Sequence, residues 1–361
     1  MEGIKQLKHC GYRHTPLPTG SYVVACTDIM TPAKHESQFG SFVRLFYPAD
    51  GDAIINYSSQ WPQWIPDSMY LEGFADFLKM RSSVFRPTYK LLVGSVYIPA
   101  IWNGPVHRKL TNCPVVVFSH GLGGSRTAYS TICTELASYG FVVAAVEHRD
   151  KSAAISYNLL DADQSVRRDQ EPLKSVEEVS NDNKCNEPCK SVDVRDTQDS
   201  TKIFPRSLKH DWIRFQQLSK DDNAYQIRNN QVHQRAEECA LALDLLESLN
   251  KGEFVDNLLD NGQSLQTTFT NLMDLSRASI IGHSFGGATV LKTLSREKNR
   301  FSVGICLDSY MFPVEEEVEM LKSLTQPLLF INTEKFSSQK NSMTMKILEA
   351  SEAERIFLTI K

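Results

Sequence analysis

Ser284 lies in Gly282-His283-Ser284-Phe285-Gly286-Gly287. A short apolar run, Ser279-Ile280-Ile281, leads into this Gly-x-Ser-x-Gly, and a helical pattern over residues 288–294 follows it. A serine on a tight strand-to-helix turn presents its hydroxyl to solvent, which is what nucleophilic acyl transfer requires. Glycines belong on either side, because strand and helix backbones approach closely there. The reaction also needs donors for a developing oxyanion, a base, and an acid to orient the base.

The donors are sought in Ser119-His120-Gly121-Leu122-Gly123-Gly124, directly after the apolar run 115–118. The backbone N–H of Leu122, paired with that of Phe285, would form the oxyanion hole, leaving His120 a structural role. The competing reading is a glycine-rich helix cap. The acid candidate is Asp308, at the end of the run 303–307; otherwise it is a strand-end turn residue, and Asp274 and Glu334 are weaker candidates. No base is visible. The nine histidines are His9, His14, His35, His107, His120, His148, His210, His233 and His283, and all precede Ser284. His283 is expected to point away from the acyl site, and His148 to approach its edge.

The positioning elements follow from periodicity. Runs 115–118, 141–146, 278–281, 303–307 and 328–331 are short, apolar and bounded by polar or turn residues, as buried parallel strands are. Helical spacing occupies 126–138 and 231–249. Alternation of the two predicts an α/β fold, a mostly parallel sheet with helices on both faces. Residues 22–26 and 42–47 suit an antiparallel edge pair. Residues 58–110 form a proline- and tryptophan-containing excursion. Residues 158–220 are polar and charged, and 162–201 read as a flexible insertion too poor in apolar side chains to order itself.

The chain has 361 residues, 41% of them hydrophobic, and a net charge of −4. One domain spanning residues 1–361 is the expectation. The mild charge argues against nucleic acid as a partner. No apolar run has the length of a membrane span, and the N-terminus lacks a secretory core and a glycine at position 2. The eight scattered cysteines then read as reduced thiols of a cytoplasmic protein. Cys185 and Cys189 have no second pair nearby, so neither a metal nor another cofactor is expected.

The combination resembles the platelet-activating factor acetylhydrolases, the group VII phospholipases A2, and among them the intracellular type II enzymes. The stretches that carry the resemblance are Trp64-Ile65-Pro66, Trp102-Asn103-Gly104-Pro105, Phe118-Ser119-His120-Gly121-Leu122-Gly123, Val143-Ala144-Ala145-Val146-Glu147-His148-Arg149-Asp150, Gly282-His283-Ser284-Phe285-Gly286-Gly287-Ala288-Thr289, Leu307-Asp308, Met311-Phe312-Pro313 and Phe330-Ile331-Asn332-Thr333-Glu334-Lys335-Phe336. The resemblance implies an α/β-hydrolase fold, with Ser284 as nucleophile, Asp308 as acid, and Leu122 and Phe285 as oxyanion donors. It implies calcium-independent release of acetyl or short, oxidised sn-2 acyl groups from phospholipids. The family's histidine lies a few residues past a strand like 355–361, so by this resemblance the chain ends before it and the domain is C-terminally incomplete. Asp308-Ser309-Tyr310 stands where the family usually has Asp-Ala-Trp.

A phospholipase meets its substrate at a membrane or lipoprotein surface. Trp61 and Trp64, followed by Leu71 and Phe74 on one face of a short helix with Phe77 and Leu78, suit such an interface; they suit a helix packed on the core equally well. Two further functions fit the sequence. One is a catalytically impaired product without the triad histidine, and the other a carboxylesterase of small soluble esters on the same fold.

Overall fold

The computed structural model describes residues 11–33, 39–161, 208–259, 268–336, 348 and 353–361. The proposed insertion at 162–201, with Cys185 and Cys189, lies outside them. The chain divides into two compact units, one of Met1–Ser156 with Ile213–Lys361 and one of Tyr157–Trp212.

The large unit is built on a nine-stranded sheet. Its strands are β1 (Val23–Met30), β2 (Phe42–Ala49), β3 (Ile101–Trp102), β4 (Cys113–Ser119), β5 (Val142–Val146), β8 (Met273–His283), β9 (Val303–Leu307), β10 (Leu328–Thr333) and β11 (Arg355–Ile360). They lie in the order β11-β10-β9-β8-β4-β5-β2-β1-β3. From β11 to β5 every pairing is parallel. The antiparallel β1–β2 pair attaches through β2 to β5, and β3 closes that side against β1. All the predicted apolar runs are strands of this sheet. β8 is longer than its apolar core suggests, because Asp274, Ser276 and Arg277 bond one another at its polar start. The two-residue β3 carries too little pattern to be predicted. Strands β6 (Ile155–Asp161) and β7 (Leu208–Arg214) form a separate two-stranded sheet, in which Tyr157, His210 and Trp212 cluster.

Alternate residues of β4 serve opposite faces, as the two-residue period of a strand dictates. Val115 and Val117 join one core with Leu243, Leu246, Phe285, Val290 and Leu291; Val116 and Phe118 join the other with Cys133 and Ala137. The helices are α1 (Ser68–Phe77), α2 (Ser82–Leu92), α3 (Ser130–Ser138), α4 (Ala224–Lys251), α5 (Phe285–Arg296) and α6 (Val318–Lys322). Helix α4 extends beyond its expected range because Asn223 caps its start, accepting from Gln226 N–H, while Gly252 in the left-handed region (φ 71°) ends it. Helix α3 begins later than periodicity suggests, since residues 126–129 are turn.

Of the residues expected at a membrane surface, Trp61, Trp64, Leu71 and Phe74, the first and third are not available to it. Trp61 and Leu71 are 3% and 6% exposed, and Trp64 and Phe74 are half-buried. Helix α1 spends its apolar face on the core: Tyr70 donates to the buried Glu147 carboxylate, and Gly73 sits where a Cβ would strike Ile155. The exposed apolar side chains follow it instead: Leu78, Met80, Val84, Leu91 and Leu92. Helix α2 buries none of its residues. Among the described residues no helix is long and apolar enough to cross a membrane.

Candidate active site

Ser284 is the hinge between β8 and α5. Its backbone is at φ 54°, ψ −114°, a region that non-glycine residues rarely occupy and that is maintained at functional sites by surrounding structure. Three backbone bonds hold it there. Ser284 N–H donates to Leu307 C=O at 2.8 Å, and Ser284 C=O accepts from Gly287 and Tyr310 N–H, each at 2.9 Å. Close packing explains the flanking glycines: a Cβ at Gly282 would stand 2.1 Å from Gly286 O, and one at Gly286 would stand 2.2 Å from Ser119 O. Although Ser284 occupies the N-cap position of α5, its side chain makes no capping bond. The hydroxyl is therefore not committed to the helix, and the residue is partly exposed.

The turn after β4 comes against this elbow. A Cβ at Gly121 would lie 3.2 Å from Ser284 Cβ and 3.3 Å from His283 Nδ1. Three of the four N–H groups of residues 121–124 are committed: Gly121 to Tyr129 Oη (3.3 Å), Gly123 to Ser152 O (2.8 Å) and Gly124 to Gly121 O (3.0 Å). Leu122 N–H alone has no acceptor among the described residues. Phe285 opens α5, and a helix's first N–H groups have no partner within the helix. Both proposed oxyanion donors are thus open backbone N–H groups, on two segments brought together beside Ser284.

Asp308 follows β9 with φ 42°, like Ser284 a non-glycine residue at positive φ. Its carboxylate accepts from Thr333 N–H (2.5 Å) and Thr333 Oγ1 (3.0 Å), and its own N–H donates to Ile331 O. The weaker acid candidate Asp274 is occupied by Ser276 and Arg277 at the far end of β8.

No histidine makes a hydrogen bond to Ser284 among the described residues; His9 and His35 lie outside them. His148 is fully buried, with both ring nitrogens bonded to other side chains. Its Nδ1 lies 2.7 Å from Glu238 Oε2 and its Nε2 2.8 Å from Ser119 Oγ. A carboxylate opposite Nδ1 assigns the proton there, so Nε2 accepts from Ser119. Burial holds the His148 pKa well below 6.5, and Arg235 lowers it further. His120 is likewise buried and neutral, by burial first and Arg235 second; its Nδ1 donates to Gly121 O and its Nε2 accepts from His148 N–H. His283 is half-buried, with Nδ1 2.7 Å from Tyr129 Oη. Burial lowers its pKa against an opposing pull from Asp308.

Sequence reasoning missed Tyr129 and Arg235. Tyr129 reads simply as an apolar position of α3, and Arg235 as a polar position of α4. In the structure Arg235 is fully buried, ion-paired with Asp150 at 2.9 Å, and donates to His120 O at 2.7 Å. Among the described residues no group of three or more His, Cys, Asp or Glu side chains could hold a metal ion.

The family model for platelet-activating factor acetylhydrolase, isoform II, matches residues 8–361. The chain belongs to this family. It is 38% identical to a platelet-activating factor acetylhydrolase of Gallus gallus over 351 residues, 97% of this chain and 72% of that protein. With the Bos taurus protein of the same name it shares 35% identity over 361 residues, 100% of this chain and 69% of the relative. By family the chain is an ester hydrolase. Its fold is similar to that of a ferulic acid esterase from Streptomyces cinnamoneus, with a TM-score of 0.54 and 16% identity, covering 96% of this chain and 76% of the esterase.

Proposed function

We propose that this protein is a calcium-independent serine hydrolase that removes the sn-2 acetyl or a short, oxidised acyl group from platelet-activating factor and related phospholipids. The observation that carries the reading is the convergence at Ser284: an uncapped serine on a strained elbow, with the open Leu122 N–H on the turn beside it. In this reading Ser284 Oγ attacks the sn-2 carbonyl carbon, and the N–H groups of Leu122 and Phe285 receive the oxyanion. Collapse of the tetrahedral intermediate breaks the bond to the glycerol oxygen, which takes up the proton released from Ser284 Oγ and leaves as the lysophospholipid. Water then cleaves the acyl-enzyme. Asp308 is the acid that would orient a base.

Contact with a phospholipid surface falls to α2 and the residues before it. Val84 and Leu91 are seven residues apart and share a face with Leu92, and the three are 53%, 85% and 68% exposed. A half-exposed apolar helix of this kind suits the membrane interface. The five described cysteines are free and buried, in keeping with a reducing cytoplasm.

A second reading is favoured because, among the described residues, no imidazole is hydrogen-bonded to Ser284: the chain holds the ester without turning it over. Incubation with a fluorophosphonate probe and with short-chain phosphatidylcholine separates the two, with Ser284→Ala as control. Labelling and hydrolysis that both vanish in Ser284→Ala support the hydrolase. Binding of the lipid with neither labelling nor hydrolysis supports the second reading.

A further inference from the structure

The peptide joining His120 to Gly121 is gripped at both ends by side chains from other elements. Its C=O accepts from Arg235 Nη1 at 2.7 Å, and its N–H donates to Tyr129 Oη at 3.3 Å. Each gripping side chain also touches the nucleophile elbow. Tyr129 Oη lies 2.7 Å from His283 Nδ1, and the Arg235 guanidinium lies over the Phe285 ring, 4.4 Å from its centroid. The tyrosine oxygen accepts from Gly121 N–H and is also hydrogen-bonded to His283 Nδ1, so one hydroxyl links the turn to the elbow; burial lowers the His283 pKa. Arg235 is fixed in turn by Asp150 and Ser152, each 2.9 Å from its Nε.

We propose that Tyr129 and Arg235 are positioning residues that clamp the His120–Gly121 peptide to the elbow, so that the next N–H, that of Leu122, is aimed before any ester binds. The following peptide completes the device. Gly121 C=O accepts from His120 Nδ1 (2.8 Å) and Gly124 N–H (3.0 Å), which leaves only the Leu122 N–H end open. Donors fixed in advance stabilise developing charge without reorganising, which is the origin of oxyanion-hole catalysis. Gly121 is glycine because a Cβ would stand 2.9 Å from Tyr129 Oη, inside the clamp.

The inference rests on the serine-hydrolase reading, and the test separates the two. Tyr129→Phe deletes one hydroxyl and retains the ring that packs 5.1 Å from Phe118. Loss of one such hydrogen bond is expected to lower kcat about tenfold on a soluble aryl acetate, with KM unchanged. The affinity of an alkyl trifluoromethyl ketone, whose adduct carries an oxyanion, should weaken by the same factor. Amide exchange at Gly121 and conformational broadening at Leu122 should increase, while Tyr139→Phe on the exposed end of α3 leaves all of these unchanged. Arg235→Lys retains a charge for Asp150 but loses the fork that reaches His120 O, so kcat falls further; if that variant does not fold, Tyr129→Phe carries the test alone. Unchanged kcat and unchanged Gly121 and Leu122 amides in Tyr129→Phe would overturn the clamp. Absence of turnover in the wild type would overturn the hydrolase reading, and the amide measurements would then decide the clamp: increased exchange supports it and unchanged exchange overturns it.

Discussion

Gly286→Ala places one methyl group between the elbow and the turn that carries Leu122. The added Cβ would lie 2.2 Å from Ser119 O, 2.9 Å from Ser119 C and 3.2 Å from His120 O. All three are backbone atoms, so no rotamer change relieves the contact, and ordinary separation requires the two segments to part by about 1 Å. Overpacking of this kind costs about 1–3 kcal/mol of stability. The larger effect is on chemistry, because a displacement of about 1 Å between reacting groups costs roughly 100-fold in rate. The assay is kcat/KM on a short-chain phosphatidylcholine together with the rate of fluorophosphonate labelling and the Tm. Gly51→Ala is the control: its Cβ would meet Tyr57 Cε2 at 3.1 Å, the edge of a side chain that can rotate. A Gly286→Ala protein with wild-type kcat/KM and Tm would refute the reasoning, since the elbow and the turn would then not be in the contact described.

Leu91→Asp removes an 85% exposed apolar residue from the α2 face; each leucine buried in lipid contributes about 1.5–3 kcal/mol, so partition onto phosphatidylcholine vesicles should fall at least about tenfold while hydrolysis of a soluble ester is retained. His120 and His148 have folded pKa values well below 6.5 because they are buried. As pH falls below 6.5 the unfolded chain takes up protons that these two rings refuse, so stability declines, by about 1.4 kcal/mol per histidine one pH unit lower. Urea denaturation against pH should show this slope, and His148→Gln should halve the part due to the pair. Burial alone would raise the Asp28 carboxyl, but Arg126 and Arg44 outweigh it and hold it well below the usual range. Its stabilisation is present above the unfolded carboxylate pKa and is lost as pH falls below it; Asp28→Asn, which takes the carboxylate from the buried Arg44 guanidinium while Arg126 keeps Glu147, should cost about 3–5 kcal/mol in denaturation at neutral pH.

The sheet was legible because its strands are buried on both sides and are therefore written as short apolar runs. The elbow and the Gly121 turn were legible because close backbone approach demands glycine at fixed spacing. Other features had no such signature. Trp61 and Leu71 carry the composition of a membrane face, yet whether an apolar face meets lipid or protein depends on what packs over it, here the core around Glu147 and Ile155. Helix α2 escaped notice because Pro87 and its charged residues interrupt the pattern. Arg235 and Tyr129 act through partners 115 and 154 residues distant in sequence, a separation no local pattern records.

Two serines of this chain contrast a proposed nucleophile with a structural hydroxyl. Ser119, His148 and Glu238 form a complete serine–histidine–carboxylate chain, with links of 2.8 and 2.7 Å. By hydrogen-bond geometry alone it is the better triad, yet all three residues are buried, so no ester can reach Ser119 Oγ. Its effect is mechanical: it ties β4, the end of β5 and α4 together directly beneath the His120–Gly121 turn. Ser284 has the opposite character, partly exposed, strained, with an uncommitted hydroxyl beside an open N–H. Buried polar chains that are fully satisfied hold backbone in place, whereas reactive groups need an unsatisfied valence facing the substrate. The buried serine chain, the Arg235 fork and Tyr129 converge on one turn, and the Leu122 N–H, the one left open there among the described residues, is what the proposed role of Ser284 requires.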